Sequence, residues 1–195
     1  MRDRTDILLW DPCLVVLVGA AGAGKSTLAA RWFQPEEILS SDSYRARVAG
    51  DPSDQRATRP AFAALHRDLR RRLADGRLAV VDATNVTSGA RAALLRIAAE
   101  TGVPAVAIVL DLPDLLVRAR NTARPGRLAV PEPAVDRQLR SLRSTLAAGR
   151  LEAEGFAAAW VVRTEGEVEA VAISRRPAPR PGTARPAGGG ASRRA

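Results

Sequence analysis

One cysteine, one histidine and one lysine occur among 195 residues, and only 4% of the positions are aromatic. With Cys13 alone an internal disulfide is impossible, which fits a reducing compartment and sets a cytoplasmic location as the expectation. Cys13 ends an interrupted apolar stretch and reads as a small buried hydrophobe rather than a reactive thiol. No apolar run reaches the roughly 18 residues of a membrane-spanning helix, because the stretch from Ile7 is broken by Asp11 and Pro12. The opening "MRDRTD" mixes charge signs and lacks the basic-then-apolar order of a signal peptide. Trp10, Trp32 and Trp160 are too scattered to build a base-stacking platform. His66, inside "AFAALHRDL", suits packing or a hydrogen bond better than catalysis.

The scarcity of lysine is informative. Arginine supplies 29 of the 30 basic residues, and the remaining one is Lys25 in "GAAGAGKST", Gly19 to Thr27. A chain that uses arginine everywhere else but lysine here needs a compact ammonium at that point, where a planar fork would not fit between phosphate oxygens. The net charge of +9 is uneven: residues 175 to 195 hold six arginines and no acid, which leaves +3 on residues 1–174. The expected organisation is one domain over 1–174 and a disordered basic Pro/Gly/Arg tail over 175–195, since "RRPAPRPGTARPAGGGASRRA" has almost no large apolar side chain.

Strand and helix patterns alternate along the first 174 residues. Strands are expected at "LVVLV" (Leu14 to Val18), "ILSS" (Ile38 to Ser41), "LAVVD" (Leu78 to Asp82), "AVAIVLDL" (Ala105 to Leu112) and "AWVVR" (Ala159 to Arg163). Helices are expected over 25–33, after Asp42, over 59–75 with Phe62, Leu65, Leu69 and Leu73 on one face, and over 88–100. Further helices are expected over 113–121, as one long element over 133–154, and over 165–174. Five strands alternating with helices imply an α/β domain with a parallel sheet covered on both faces.

Gly19 to Ser26 matches G-x-x-x-x-G-K-[ST] in full, between a strand and a helix, which is the context that motif requires. Its glycines let backbone N–H groups surround a β-phosphate at the positive end of a helix. Nucleotide-binding candidates are therefore Gly19, Ala20, Ala21, Gly22, Ala23, Gly24, Lys25, Ser26 and Thr27. Lys25 would neutralise β- and γ-oxygens, and the Ser26 hydroxyl would hold Mg²⁺. Bound ATP and Mg²⁺ are the expected cofactors.

Asp42, in "ILSSDSYR", suits two roles. It can cap a helix starting at Ser43. It also stands just beyond the carboxyl end of a strand, where an open α/β sheet presents its ligand crevice. There a carboxylate can take the proton of an attacking hydroxyl, with Arg45 one helical turn on to fix an anionic group of the acceptor. In "VVDATN", Asp82 is a candidate for a water-mediated Mg²⁺ contact and Asn85 for an acceptor contact; both equally suit a turn that shapes the loop. "VRARNTARPGR" brings Arg118, Arg120, Arg124 and Arg127 after the fourth strand, where arginines can close over a nucleotide as a lid. Arg120 and Arg124 are the functional candidates. Arg137, Arg140 and Arg143 recur three apart and read as a solvated helix face.

In this order, "VLVGAAGAGKST", "ILSSDSYR", "AFAALH", "GRLAVVDATNV", "AIVLDLP" and the "RN" of the lid-like segment resemble the kinase domain of bacterial polynucleotide kinase-phosphatases, over roughly Leu14 to Ser174. The loop motif alone is shared very widely; S-D-x-x-R followed by D-A-T-N is far more specific. The resemblance implies a P-loop kinase fold with an arginine-containing lid. It also implies transfer of the γ-phosphate of ATP to a 5′-hydroxyl end of DNA or RNA. By the same resemblance Asp42 is the general base, Arg45 grips the phosphate beside the terminal nucleoside, and Lys25 and Arg124 stabilise the transferring group. The family's larger members continue into phosphatase and ligase domains, whereas this chain ends in the basic tail. Two alternatives keep the phosphate grip: a zeta-toxin-like kinase of a sugar, antibiotic or other small molecule, and a regulatory nucleotide-binding ATPase.

Overall fold

The structure, a computed structural model, describes residues 5–51 and 55–177. The expectation of a disordered tail falls outside those residues from 178 onward. Five parallel strands form the central sheet: β2 (Leu14–Val18), β3 (Ile38–Ser40), β4 (Ala79–Asp82), β5 (Ala105–Leu110) and β6 (Ala158–Val162), in the order β3-β4-β2-β5-β6. The strand before the glycine loop thus lies in the middle, with its two neighbours pairing parallel in register, Val16 beside Val81 and Ala107.

Alternation along β2 divides the core in two. Val15 and Leu17 face one side, with Leu28 and Phe33 around α1 (Lys25–Trp32), Val117 of α5 (Asp114–Thr122), and Val135 and Leu139 of α6 (Glu132–Ala147). Leu14, Val16 and Val18 face the other side, with Tyr44 of α2 (Ser41–Ala49), Leu65, Leu69 and Leu73 of α3 (Thr58–Ala74), and Leu94 and Ile97 of α4 (Ser88–Thr101). Burial on both faces is why β2 and β5 are unbroken apolar runs and β4 is apolar up to Asp82 at its end.

Three elements differ from the sequence expectation. The long helix after the lid is interrupted: α6 stops at Ala147, and α7 (Arg150–Ala153) follows Gly149, which takes φ 59°. The last helix, α8 (Glu165–Ala170), is short, and residues after it form β7 (Ala172–Pro177). That strand pairs parallel with an unexpected β1 (Asp6–Asp11) as a separate two-stranded sheet. Arg175 and Arg176 therefore belong to the folded domain rather than to the tail. Arg175 grips the Glu37 carboxylate with both arms, at 2.7 and 2.8 Å, and Arg176 stacks on the Trp10 ring at 3.5 Å. Among the described residues no helix is long and apolar enough to cross a membrane.

Candidate active site

The carboxyl ends of β2, β3 and β4 open onto one cleft of about 890 Å³, large by the standard of small-ligand sites. The loop after β2 forms its floor. Gly22 takes φ 88°, and a Cβ there would come within 2.3 Å of the Val117 carbonyl oxygen, so only glycine lets the loop pass under α5. Not every amide of the loop faces the cleft. Gly19 N–H donates to the Thr84 carbonyl, Ala23 N–H to the Ala20 carbonyl, and Ala21 N–H to the Gln138 side chain at 2.8 Å. Ala20 and Ala23 are buried. The first bond within α1 runs from Leu28 N–H to the Gly24 carbonyl, so the amides of Lys25, Ser26 and Thr27 have no partner inside their helix. They are the donors available to an anion.

Lys25 is nearly enclosed, and its Nζ donates to the Gly19 and Ala20 carbonyls at 2.9 and 2.8 Å. Burial holds its pKa down at about 8, with Asp82 working in the opposite direction and Arg124 adding to the depression. Ser26 Oγ donates to Asp82 Oδ2 at 2.7 Å. A hydroxyl and a carboxylate at that spacing are two hard oxygen donors, and Mg²⁺ takes such a pair together with waters and phosphate oxygens. The residues present therefore fit the ion. No larger cluster of three or more His, Cys, Asp or Glu suited to a metal exists among the described residues.

Asp42 is not the helix cap. The helix begins one residue earlier, with Ser40 at the cap position, so Asp42 is already inside the first turn and lines the cleft. Its Oδ1 accepts from Arg45, and its Oδ2 accepts from Arg124 Nη2 at 3.3 Å. A carboxylate has about four lone-pair directions, so two guanidiniums leave room for a hydroxyl. Asp42, Arg45, Arg124 and Lys25 border a single space.

Asn85 departs from the expectation of an acceptor contact. It is 2% exposed, adopts φ 47°, and donates through Nδ2 to the Leu17 and Ala83 carbonyls. Its side chain is committed to joining the ends of β2 and β4. The Asn85 carbonyl in turn accepts from Arg91 Nη1 at 3.0 Å, and the wholly buried Arg91 also grips Glu154 at 2.6 and 2.7 Å.

The arginines after β5 divide by their partners. Arg118 ties α5 to α6 through Asp136 and Glu132. Arg120 lines the cleft and pairs with Glu165, and Arg124 lines it and pairs with Asp42. The side chain of Arg127 lies outside the described residues. Asn121 exchanges two hydrogen bonds with Val130, at 2.8 and 3.1 Å, which pins the arginine-bearing segment across the cleft. Arg143 pairs with Asp114, as a surface residue would. Arg137 is exposed, as expected of that face, and also lines the cleft.

Phe62 and Gln138 also border the cleft and went unrecognised in the sequence. Phe62 occupies a position of the apolar repeat of α3 and so counted as core. A lone glutamine on a helix carries no signal. Cys13 is buried, which pushes its thiol up to about 12, and His66 packs edge-on against Phe62, as their contexts suggested.

No curated protein matched the chain by sequence. Among solved structures, it is similar to a chain of the Pnkp1/Rnl/Hen1 RNA repair complex, with TM-score 0.62 and 22% identity over 72% of this chain and 47% of that one. This chain thus spans about half the length of that repair protein. It is also similar to a sugar kinase from Janibacter sp. HTCC2649 (TM-score 0.53, 19% identity, 78% and 85% covered). A gluconokinase from Sinorhizobium meliloti 1021 is similar too (TM-score 0.51, 20% identity, 83% and 87% covered). At these identities the likeness speaks to the fold, which is P-loop kinase-like. A family model described as an AAA domain matches residues 14–148, well over half of the sequence, and the chain belongs to that AAA domain family.

Proposed function

We propose that this protein is an ATP-dependent phosphotransferase whose acceptor is a hydroxyl, and that the hydroxyl is the 5′-OH end of DNA or RNA. The observation that carries the reading is that Asp42, at the tip of β3, opens onto the same cleft as Lys25. In the proposed step the acceptor O–H gives its proton to the Asp42 carboxylate as the oxygen bonds to the γ-phosphorus. The bond from that phosphorus to the β–γ bridging oxygen breaks, and ADP leaves with the electron pair. Lys25 and the open amides at the start of α1 hold the β-phosphate oxygens on which charge grows, and Arg124 shifts from Asp42 to the transferring group. Ser26 and Asp82 are the residues that would hold Mg²⁺, which would supply neutralisation of phosphate charge.

A polynucleotide end is favoured by what surrounds Asp42. Arg45 offers a cation one helical turn away, and Phe62 of α3 gives the same cleft a flat apolar face. Ring stacking on such a face is worth about 1–3 kcal/mol per base. The similarity to a chain from an RNA repair complex agrees with this choice. One observation favours a small-molecule acceptor instead: the chain covers 85% and 87% of the sugar kinase and gluconokinase chains but less than half of the repair protein.

Incubation with γ-labelled ATP, Mg²⁺ and a panel of acceptors tests the reading. Label on 5′-OH oligonucleotides, and none on 5′-phosphorylated ones, is the expected result. Label on sugars or gluconate but on no oligonucleotide would replace the polynucleotide reading with the small-molecule one.

A further inference from the structure

Four arginines line the cleft, and one of them differs from the rest. Arg45 and Arg124 are paired with Asp42, and Arg120 is paired with Glu165. Arg137 is exposed and has no carboxylate partner among the described residues. Outside the cleft, Arg70, Arg118 and Arg143 are paired with acids, whereas Arg140, like Arg137, is exposed with no acid partner among the described residues. Lys25 is bonded to the Gly19 and Ala20 carbonyls, and among the described residues Arg137 is the arginine of the cleft with no acid paired to it.

Its position is fixed by its neighbours on α6. The adjacent Gln138 accepts from the Ala21 amide, which staples this turn to the lip of the glycine loop. Asp136 on the other side is held by Arg118 of α5. Val135 and Leu139 are buried in the core beneath. Arg137 therefore projects from a rigid helix beside the loop rather than from a mobile flap.

We propose that Arg137 is a phosphate-binding residue of the transfer site, with its guanidinium fork donating two N–H groups to two oxygens of one phosphate group. The proposal rests on the kinase reading above. Two sources present that chemistry: the γ-phosphate of the donor, and a phosphodiester of the acceptor beyond the one that Arg45 faces.

The test compares Arg137→Ala with Arg140→Ala. Arg140 is exposed, lies one turn further along the same helix and outside the cleft, and its substitution removes the same charge. Equilibrium titrations with ATP, with ADP, and with a 5′-OH oligonucleotide in the presence of ADP are measured for each. If the γ-phosphate is the ligand, Arg137→Ala weakens ATP about 10- to 100-fold and leaves ADP unchanged. If the acceptor phosphate is the ligand, both nucleotides bind as before and the oligonucleotide weakens by that factor. Arg137→Lys restores part of either loss, because the charge returns without the paired N–H groups. The proposal is overturned if Arg137→Ala binds all three as the unaltered protein does, or if Arg140→Ala produces the same losses. These readings need no turnover, so they stay separate from the kinase reading, which fails when the unaltered protein labels no acceptor.

Discussion

At the scale of single residues, the site places charge in two different ways. Lys25 is buried and its pKa held at about 8, so the form with no nucleotide bound keeps its ammonium only at or below that pH. Triphosphate binding favours the charged form, so ATP should bind with proton uptake around and above pH 8, and its affinity should fall as pH rises through that value. Calorimetry in buffers of differing ionisation enthalpy measures the uptake. A proton count of zero at pH 8.5 would contradict this account of Lys25. Arg124 differs, because its contact with Asp42 is about a third exposed on both sides. Exposed pairs are worth about 0–1 kcal/mol, so exchange of Asp42 for a phosphate group is cheap. Arg124→Ala should therefore cost little stability, yet lower kcat by about 10³-fold or more if it meets the transferring group. Denaturant melts and steady-state kinetics on the same variant separate the two effects.

Elements differ in how legible they are from sequence, and the reason is burial. β2, β4 and β5 are covered on both faces, so β2 and β5 are unbroken apolar runs and β4 is apolar up to Asp82. The glycine loop is readable because its backbone demands small residues and its chemistry demands a lysine. β1 and β7 are a different case. They pair across more than 160 residues of chain, β7 is largely exposed, and its "AIS" continues the helical pattern of α8. The break at Gly149 was similarly hidden inside a long apolar periodicity. Within the site, motif residues were legible, whereas Arg137, Phe62 and Gln138 acquire their places only when α3 and α6 close around the loop. Asn85 shows the converse: a residue in a motif whose role here is to hold two strand ends together. That bracing extends through Arg91, which packs α4 against Glu154 and the Asn85 loop. Removing one partner of a buried pair typically costs about 3–5 kcal/mol. Arg91→Ala should lose stability in that range in a urea melt, whereas the exposed Arg140→Ala should change it by less than about 0.5 kcal/mol.

For the molecule as a whole, nucleotide binding ties together parts that are far apart in sequence: the loop after β2, the arginine segment before α6, and α6 itself. Saturating ATP with Mg²⁺ should stabilise the fold by about 2.7 kcal/mol at 100 times Kd, or a Tm rise of about 5–10 °C for a domain of this size. Lys25→Ala should abolish most of that rise in a thermal melt. A regulatory ATPase would show the same shift, so nucleotide binding alone does not distinguish it from a kinase. The acid at the end of β3 does. Single-turnover transfer of labelled γ-phosphate from prebound ATP to a 5′-OH oligonucleotide, comparing the unaltered protein with Asp42→Asn, is the most direct measurement. The account predicts unchanged ATP affinity and a transfer rate lower by about 10²- to 10⁴-fold; transfer at the unaltered rate would show that this carboxylate takes no proton.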